Sequence, residues 1–218
     1  RITGQRRDTL DVTVKFVFNI RNGDMEAREL LLEKIIKWAA GGGWITLGHR
    51  PDRQLQVVLA QAPGSGDMFN WTNEFTMVFR AYSVPYWSDD KETSVTSATI
   101  ASGQTIIDVP GNTETVAKVV VANKSGAKIN KVKVKVGENE MEFTDLAMVA
   151  NESLMIDHVQ RKDIYFIRAR IVQGNNARSV LAKRTGANDF YVSPGNNTIT
   201  FTADRAVQTT VSVKGRYQ

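Results

Sequence analysis

The sequence has 218 residues, 42% hydrophobic and 23% charged, a balance typical of a globular protein with one large or two modest domains. It contains no cysteine, which excludes disulfides, thiolate catalysis and cysteine-based zinc sites. The net charge of +5 arises entirely beyond residue 90, because residues 1–90 hold 11 basic and 11 acidic side chains. No apolar stretch is long enough to cross a bilayer, so no membrane association is expected. The sequence starts at Arg1 rather than methionine, and we expect further residues upstream.

The first 90 residues combine alternating strands with one helix. Apolar residues at alternate positions predict a half-buried strand over 10–20. Asp24 can cap a helix over about 24–40 that is acidic early, basic late and ended by Gly41-Gly42-Gly43. Its apolar stripes are Leu31, Ile35 and Trp38, with Leu32, Ile36 and Ala39 beside them. Further strands are predicted at 44–47, 54–61 and 71–80, with a turn at 48–52.

The polar segment 88–94 predicts a boundary, which gives domains 1–90 and 91–218. Beyond it, short strands separated by glycine-containing turns are typical of a β-sandwich or jelly roll. The predicted strands lie at about 95–101, 104–109, 115–122, 129–136, 139–144, 153–157, 163–173, 178–182, 188–192, 197–203 and 207–214. The predicted fold class is therefore α+β, mostly β, with the helix confined to the first domain.

Residues with catalytic potential are scattered and lack supporting motifs. His49 lies in a predicted turn, and His158 follows Asp157 at a predicted strand end, with no spacing typical of a metal site. Asp89 and Asp90 stand in a polar segment, where nothing would perturb paired carboxylates. The sequence thus predicts no enzyme, no metal and no cofactor.

Three lysines alternate with valines over residues 131–136. In a strand this pattern places Lys131, Lys133 and Lys135 on the solvent side. The favoured interpretation is protection of a sheet edge against aggregation, and a basic stripe for an acidic partner is the alternative.

Aromatic residues concentrate in the first domain, which holds all four tryptophans. Phe69 and Trp71 follow a glycine-rich loop, and Tyr86 and Trp87 follow Pro85. Tryptophan and tyrosine near loops favour a protein interface, and a place in the core is the equal alternative for each.

The order of features resembles a known family. An amphipathic helix is followed by Gly42-Gly43-Trp44, Arg50-Pro51-Asp52-Arg53 and a strand that closes on Val84-Pro85-Tyr86-Trp87. This order resembles the N-terminal domain of the distal tail proteins of siphophages, which are phages with long flexible tails. Residues 152–157 and 190–199 are similar to parts of that family's C-terminal galectin-like sandwich, with Val192-Ser193 where leucine is usual.

The resemblance implies a structural protein of the phage tail tip, or baseplate, assembled in the bacterial cytoplasm. Six copies would form a ring that joins the tail-tube protein to a tail-associated tip protein, and DNA would only pass through its channel. Strands 10–20 and 54–61 are candidates for pairing or packing across subunits. The candidate interface residues are Trp44, Arg53, Phe69, Trp71, Tyr86 and Trp87. The chain has no room for a carbohydrate-binding insertion, so host binding is not expected.

Two alternative functions stay open. A carbohydrate-binding β-sandwich would need an exposed aromatic platform in the second domain. The aromatic residues available there are Phe143, Tyr165, Phe166, Phe190, Tyr191, Phe201 and Tyr217. A tail-tube or other baseplate protein of related β-rich fold is the second alternative.

Overall fold

The computed structural model describes residues 10–17, 25–63, 74–81, 86–161 and 164–218. The chain divides into two units, Arg1–Trp87 and Ser88–Gln218. The fold class predicted from the sequence is confirmed: the described residues are mostly β, with one α-helix in the first unit and sandwich-like sheets in the second. The assignment of the two parts as ring-forming and galectin-like remains a prediction.

The first unit is a small antiparallel sheet that carries one helix. Its elements are β1 (Asp11–Val17), α1 (Met25–Ala40), β2 (Gly43–Leu47), β3 (Arg50–Gln61) and β4 (Glu74–Ala81). The strands lie in the order β2-β3-β4-β1, and β1 pairs with β4 from Asp11 opposite Arg80 to Val17 opposite Glu74. The predicted Asp24 cap and the end of the predicted strand 10–20 lie outside the described residues.

The turn predicted at 48–52 is shorter in the structure. Only Gly48 and His49 form it, because Leu47 already pairs with Arg50 and β3 begins there. Pro51 does not prevent this, since proline is tolerated at the start of a strand. The helix ends as predicted: Gly42 has a φ of +69°, and its N–H donates to the Ala39 carbonyl at 3.1 Å.

The core of the first unit lies between α1 and one face of the sheet. Leu55 and Met77 are fully buried there, and Phe16 stacks on Phe75 with ring centroids 4.9 Å apart. From α1, Leu32 and Ala39 reach this core.

The second unit is a β-sandwich, preceded by a short strand β5 (Trp87–Asp89) at the point of division. Its strands are β6 (Thr93–Thr96), β7 (Ile100–Val109), β8 (Thr115–Val116), β9 (Lys118–Asn123), β10 (Val132–Val136), β11 (Asn139–Phe143), β12 (Ser153–Arg161), β13 (Ile164–Gln173), β14 (Asn176–Ser179), β15 (Arg184–Gly186), β16 (Tyr191–Val192), β17 (Gly195–Val213) and β18 (Arg216–Tyr217). A single 3₁₀ turn at Leu181–Lys183 replaces part of the strand predicted at 178–182.

The long strand β17 links the two sheets of the sandwich. The sequence predicts separate strands at 197–203 and 207–214, whereas the structure has one strand of 19 residues with a register break between Thr202 and Val207. The first half of β17 pairs with β7 and β10, and the second half pairs with β6 and β9. Such a break lets one strand turn the corner between packed sheets. A single apolar core fills the space between them, with Phe143, Phe190 and Phe201 among its largest buried residues.

Candidate functional site

The described interface candidates of the first unit lie in different environments. Trp44 lies on β2 with 56% of its surface exposed. Arg53 on β3 is partly buried, and its Nε lies 3.6 Å from Asp52 Oδ2. Tyr86 and Trp87 are half-buried, and Trp87 packs against the core of the first unit. Phe69 and Trp71 lie outside the described residues, so their place in an interface remains a prediction.

Trp38 is a surface residue that the sequence pattern placed on an apolar stripe. In the structure α1 buries Leu32 and Ala39, while Leu31 lies on the exposed side and Trp38 is 71% exposed. The two apolar stripes of the helix compete for the core, and the sheet is covered by the stripe that contains Leu32. In the other stripe Ile35 also packs against the core, whereas Leu31 and Trp38 are left exposed. The sequence indicated this exposed face only through the width of the apolar surface of α1, which is larger than one sheet can cover.

An apolar groove of about 480 Å³ lies between the end of α1 and the sheet. Its lining residues are Val14, Phe16, Trp38, Ala39, Gly42, Gly43, Trp44, Ile45, Thr46, Val57 and Phe79. None of these described residues is charged, and their polar side-chain groups are the Thr46 hydroxyl and the indole N–H groups of Trp38 and Trp44. The glycine turn that ends α1 sends the chain directly into β2, which places both tryptophans on the groove.

Among the described residues, both outer strands of the first sheet have one edge without a partner strand, here called the free edge. In the described part of the chain, β1 pairs only with β4 and β2 pairs only with β3. Unpaired backbone groups on such edges are ready to bind another strand. Of the two strands expected to pair or pack across subunits, β1 is an outer strand, whereas β3 lies between β2 and β4 and is paired on both sides at Val57. Their contacts with another copy stay a prediction.

The sheet face of β1 and β4 away from the core carries paired charges. Arg80 donates two hydrogen bonds of 2.8 Å to the Asp11 carboxylate, and Lys15 lies 2.5 Å from Glu74. The hydrogen bond from Arg80 lowers the pKa of Asp11 below its usual value. Each of these acidic side chains is paired with a basic one, so the net charge of the two pairs is zero.

The lysine-rich strand of the second unit does not protect an edge. β10 lies between β11 and β17, which corrects the interpretation of Lys131, Lys133 and Lys135 as edge protection. Lys131 lies 2.7 Å from Glu142, and Lys133 lies 2.8 Å from Glu140, both on β11. These glutamates also offset the positive charge that a basic stripe for an acidic partner would need.

His158 is a packed residue rather than the surface residue at a strand end that the sequence indicated. It lies within β12, and its Nε2 accepts a hydrogen bond from the Phe190 N–H at 3.3 Å. Burial lowers the pKa of His158, although the nearby carboxylates of Asp189 and Asp157 oppose this effect. The arrangement ties β12 to the segment before β16 and offers no nucleophile or metal partner.

Asp157 belongs to an ion-pair cluster on the opposite side of β12. Burial raises its pKa, but hydrogen bonds from Arg168 at 2.8 and 2.5 Å and the charge of Arg170 outweigh this and leave the pKa lowered. The cluster joins β12 to β13 and has a structural role. Across the described ranges, no group of three histidine, aspartate or glutamate residues is placed to hold a metal ion. Nor does any described helix have the length and apolar character needed to span a bilayer.

The aromatic residues of the second unit do not form a described platform for a sugar ring. Phe143, Phe190 and Phe201 are buried in its core, Tyr191 and Tyr217 are partly buried, and the side chain of Tyr165 is outside the described set. Phe166 on β13 is 49% exposed. One exposed ring among the described aromatics gives no specific support for saccharide binding.

Comparison with known proteins agrees with this architecture. No protein-family model and no curated protein matches the sequence. Among solved structures, the SPP1 Dit (gp 19.1) protein superposes with a TM-score of 0.60, at 12% identity, over 97% of this chain and 80% of that chain. The chain shares its fold with SPP1 Dit. That protein is described as a paradigm of the hub adsorption apparatus in phages that infect Gram-positive bacteria.

The resemblance inferred from the order of sequence motifs is therefore confirmed at the level of the fold. The baseplate of phage P2, in its activated conformation with Ca, also matches, with a TM-score of 0.49 and 8% identity over 96% of this chain and 79% of that chain. A TM-score of 0.49 is too low to support a shared fold, so this match adds nothing to the assignment.

Proposed function

We propose that this chain is a structural hub protein of a siphophage tail tip, and that six copies close into a ring. The observation that carries the proposal is the Dit-like fold, which extends over 97% of the chain and includes both units. In this role the ring joins the tail-tube protein to a tail-associated tip protein, as part of a virion assembled in the bacterial cytoplasm. The protein acts by assembly and catalyses no reaction.

The free edges of the first sheet support head-to-tail assembly. Neighbouring strands alternate in direction along the order β2-β3-β4-β1, so β1 and β2 run in opposite directions. Adjacent copies in a ring are related by rotation about its axis, so the same strand runs in the same direction along the axis in every copy. The β1 edge of one copy would therefore meet the β2 edge of the next in the antiparallel sense used within the sheet. A contact between two different edges that closes by rotation gives a ring.

The charge of the first unit suits a channel through which DNA moves. Residues 1–90 carry equal numbers of acids and bases, and the pairs Asp11–Arg80 and Lys15–Glu74 neutralise each other. Unpaired lysine and arginine side chains would hold the phosphates of DNA by releasing counterions. A balanced surface lets DNA pass without binding it.

The mass of the protein in solution tests the proposal. Six copies of the 24.2 kDa chain have a mass of about 145 kDa, which light scattering separates clearly from a monomer. Negative-stain images of the same fraction should show rings with a central hole. Stacked tubes would favour the tail-tube alternative. A chain that remains monomeric at every concentration, alone and with its tube protein, would contradict the ring.

A further inference from the structure

Two tryptophans of the first unit expose large apolar surfaces to solvent. Trp38 is 71% exposed and Trp44 is 56% exposed, and together they are half of the four tryptophans in the chain. Buried indole side chains contribute strongly to folding and binding, and tryptophan is enriched among the residues that dominate protein interfaces. Both tryptophans line the same groove, Trp38 from the end of α1 and Trp44 from β2.

The chemistry of the groove limits the occupant to something apolar. None of the described residues that line it is charged, so no ion pair with a phosphate can form there, and the polar side-chain groups are limited to the Thr46 hydroxyl and two indole N–H groups. A saccharide would require several fixed polar partners. An uncharged apolar segment of protein loses no ion hydration on entering.

The position of the groove favours a second copy of this chain as the occupant. Its lining includes Val14 and Phe16 on β1 and Gly43–Thr46 on β2, so it is continuous with both free edges of the sheet. The proposed ring uses these two edges. The same unit also exposes apolar side chains outside the groove, on Val17 and Leu30.

We infer that the groove bordered by Trp38 and Trp44 is the docking site for the next copy of the chain in the ring. This inference rests on the proposed function, since it names the surface that the ring contact buries. A heterologous ring contact joins two different surfaces of the chain. The first unit exposes the groove and, outside it, Val17 and Leu30, and the charges on β1 are already paired with β4 within its own copy.

Substitutions of the two tryptophans test the inference in the full chain. Trp38→Gln keeps good helix propensity and Trp44→Thr keeps strand propensity, and both sites are largely exposed, so the variants should fold. Ile106→Thr is the matched control, because Ile106 is also 56% exposed but lies on β7 in the second unit. Light scattering over a concentration series measures assembly, and thermal unfolding verifies the fold.

Each tryptophan variant should raise the concentration needed for half-assembly by at least about tenfold, while the control assembles like the wild type. Tryptophan variants that melt normally and still form rings at wild-type concentrations would overturn the docking site and leave the ring intact. So would a small apolar molecule found in the wild-type groove by native mass spectrometry, with ring formation unchanged in the variants. A wild-type chain that never forms rings would overturn the proposed function, and the docking site with it.

Discussion

His158 shows how one packed side chain links stability to pH. Its Nε2 accepts a hydrogen bond from the Phe190 N–H, so this imidazole nitrogen carries no proton in the folded protein. Adding a proton would place two donors face to face in a partly buried site. Burial is the main reason that the folded pKa lies below the ordinary value of 6.5, against the opposing charges of Asp189 and Asp157, while Arg216 acts in the same direction as burial.

The sign of the resulting pH dependence follows from proton linkage. Below about pH 6.5 the unfolded chain takes up a proton at His158 that the folded chain resists. The free energy of unfolding should therefore fall as the pH drops from 7 towards 5. In His158→Gln, whose side-chain oxygen can still accept from Phe190, this part of the slope should disappear. Denaturant unfolding at several pH values measures the effect.

His49 provides the control for this experiment. It lies exposed in the turn between β2 and β3, and His49→Gln should keep the wild-type slope between pH 7 and 5. If the two variants show the same slope as the wild type, His158 does not control acid stability.

The exposure of single residues was the least predictable part of the molecule. Trp38 stands in a helix that was correctly predicted, yet it is exposed. His158 was expected just after a strand at 153–157, yet it is packed within β12, which continues to Arg161. Local periodicity gives the faces of an element, whereas burial depends on which face the rest of the fold covers. Trp44 was among the predicted interface residues, but nothing in the sequence indicated that it shares a groove with Trp38.

At the scale of elements, periodicity and turn chemistry predicted most of the structure. The helix predicted at 24–40 is α1 (Met25–Ala40), and the predicted strands of the first domain correspond to β1–β4. Alternation did not reveal which strands are neighbours. A strand with lysines on one face and valines on the other looks the same at an edge or inside a sheet, and the glutamates of β11 that pair with β10 become relevant only once the register is known.

The short strand β18 is held against a glycine that no other residue can replace without strain. Gly111 has a φ of +111°, and a Cβ there would overlap the backbone of Arg216, whose carbonyl accepts from the Asn112 N–H at 2.9 Å. We predict that Gly111→Ala lowers the free energy of unfolding by about 2–4 kcal/mol, from backbone strain and the displacement of β18 together. Chemical denaturation measures this loss.

Gly137 separates the two contributions. Its φ is +57°, but a Cβ there would meet nothing within 4 Å. Gly137→Ala should therefore cost only about 1 kcal/mol, from the left-handed conformation alone. Equal losses in the two variants would mean that the contact between Gly111 and β18 contributes nothing to stability.

At the scale of the whole molecule, the absence of cysteine makes the proposed ring testable by cross-linking. β1 and β2 are three strand spacings apart in one copy, about 14 Å, which is too far for a disulfide. Thr46→Cys, combined in turn with Asp11→Cys, Thr13→Cys and Lys15→Cys, scans the possible registers between adjacent copies. At least one pair should give an oxidised ladder that ends at six copies on a non-reducing denaturing gel.

The single-cysteine variants are the controls, and they should give no ladder beyond a dimer. A ring that forms in every double variant without any ladder would show that the copies meet elsewhere than at β1 and β2.

The order of the elements proved more informative than any one motif. At 12% identity to SPP1 Dit, few individual residues are shared, yet the succession of strand, helix, strand and sandwich was sufficient to indicate the fold. The contacts between copies are not encoded in such a succession, because they depend on surfaces that come together only after folding. The groove was therefore recognised only in three dimensions.

The place of β17 in the chain has a consequence for how the protein is made. Its four partners, β6, β7, β9 and β10, all precede it, and Thr96 meets Thr210 across 114 residues. The first unit can fold on the ribosome while later residues are still being added. The sandwich must wait until residue 213 has been synthesised, because both of its sheets lack their shared strand until then. Over that interval the apolar faces of the second unit have no cover, so chaperones would have their greatest effect on this half of the chain.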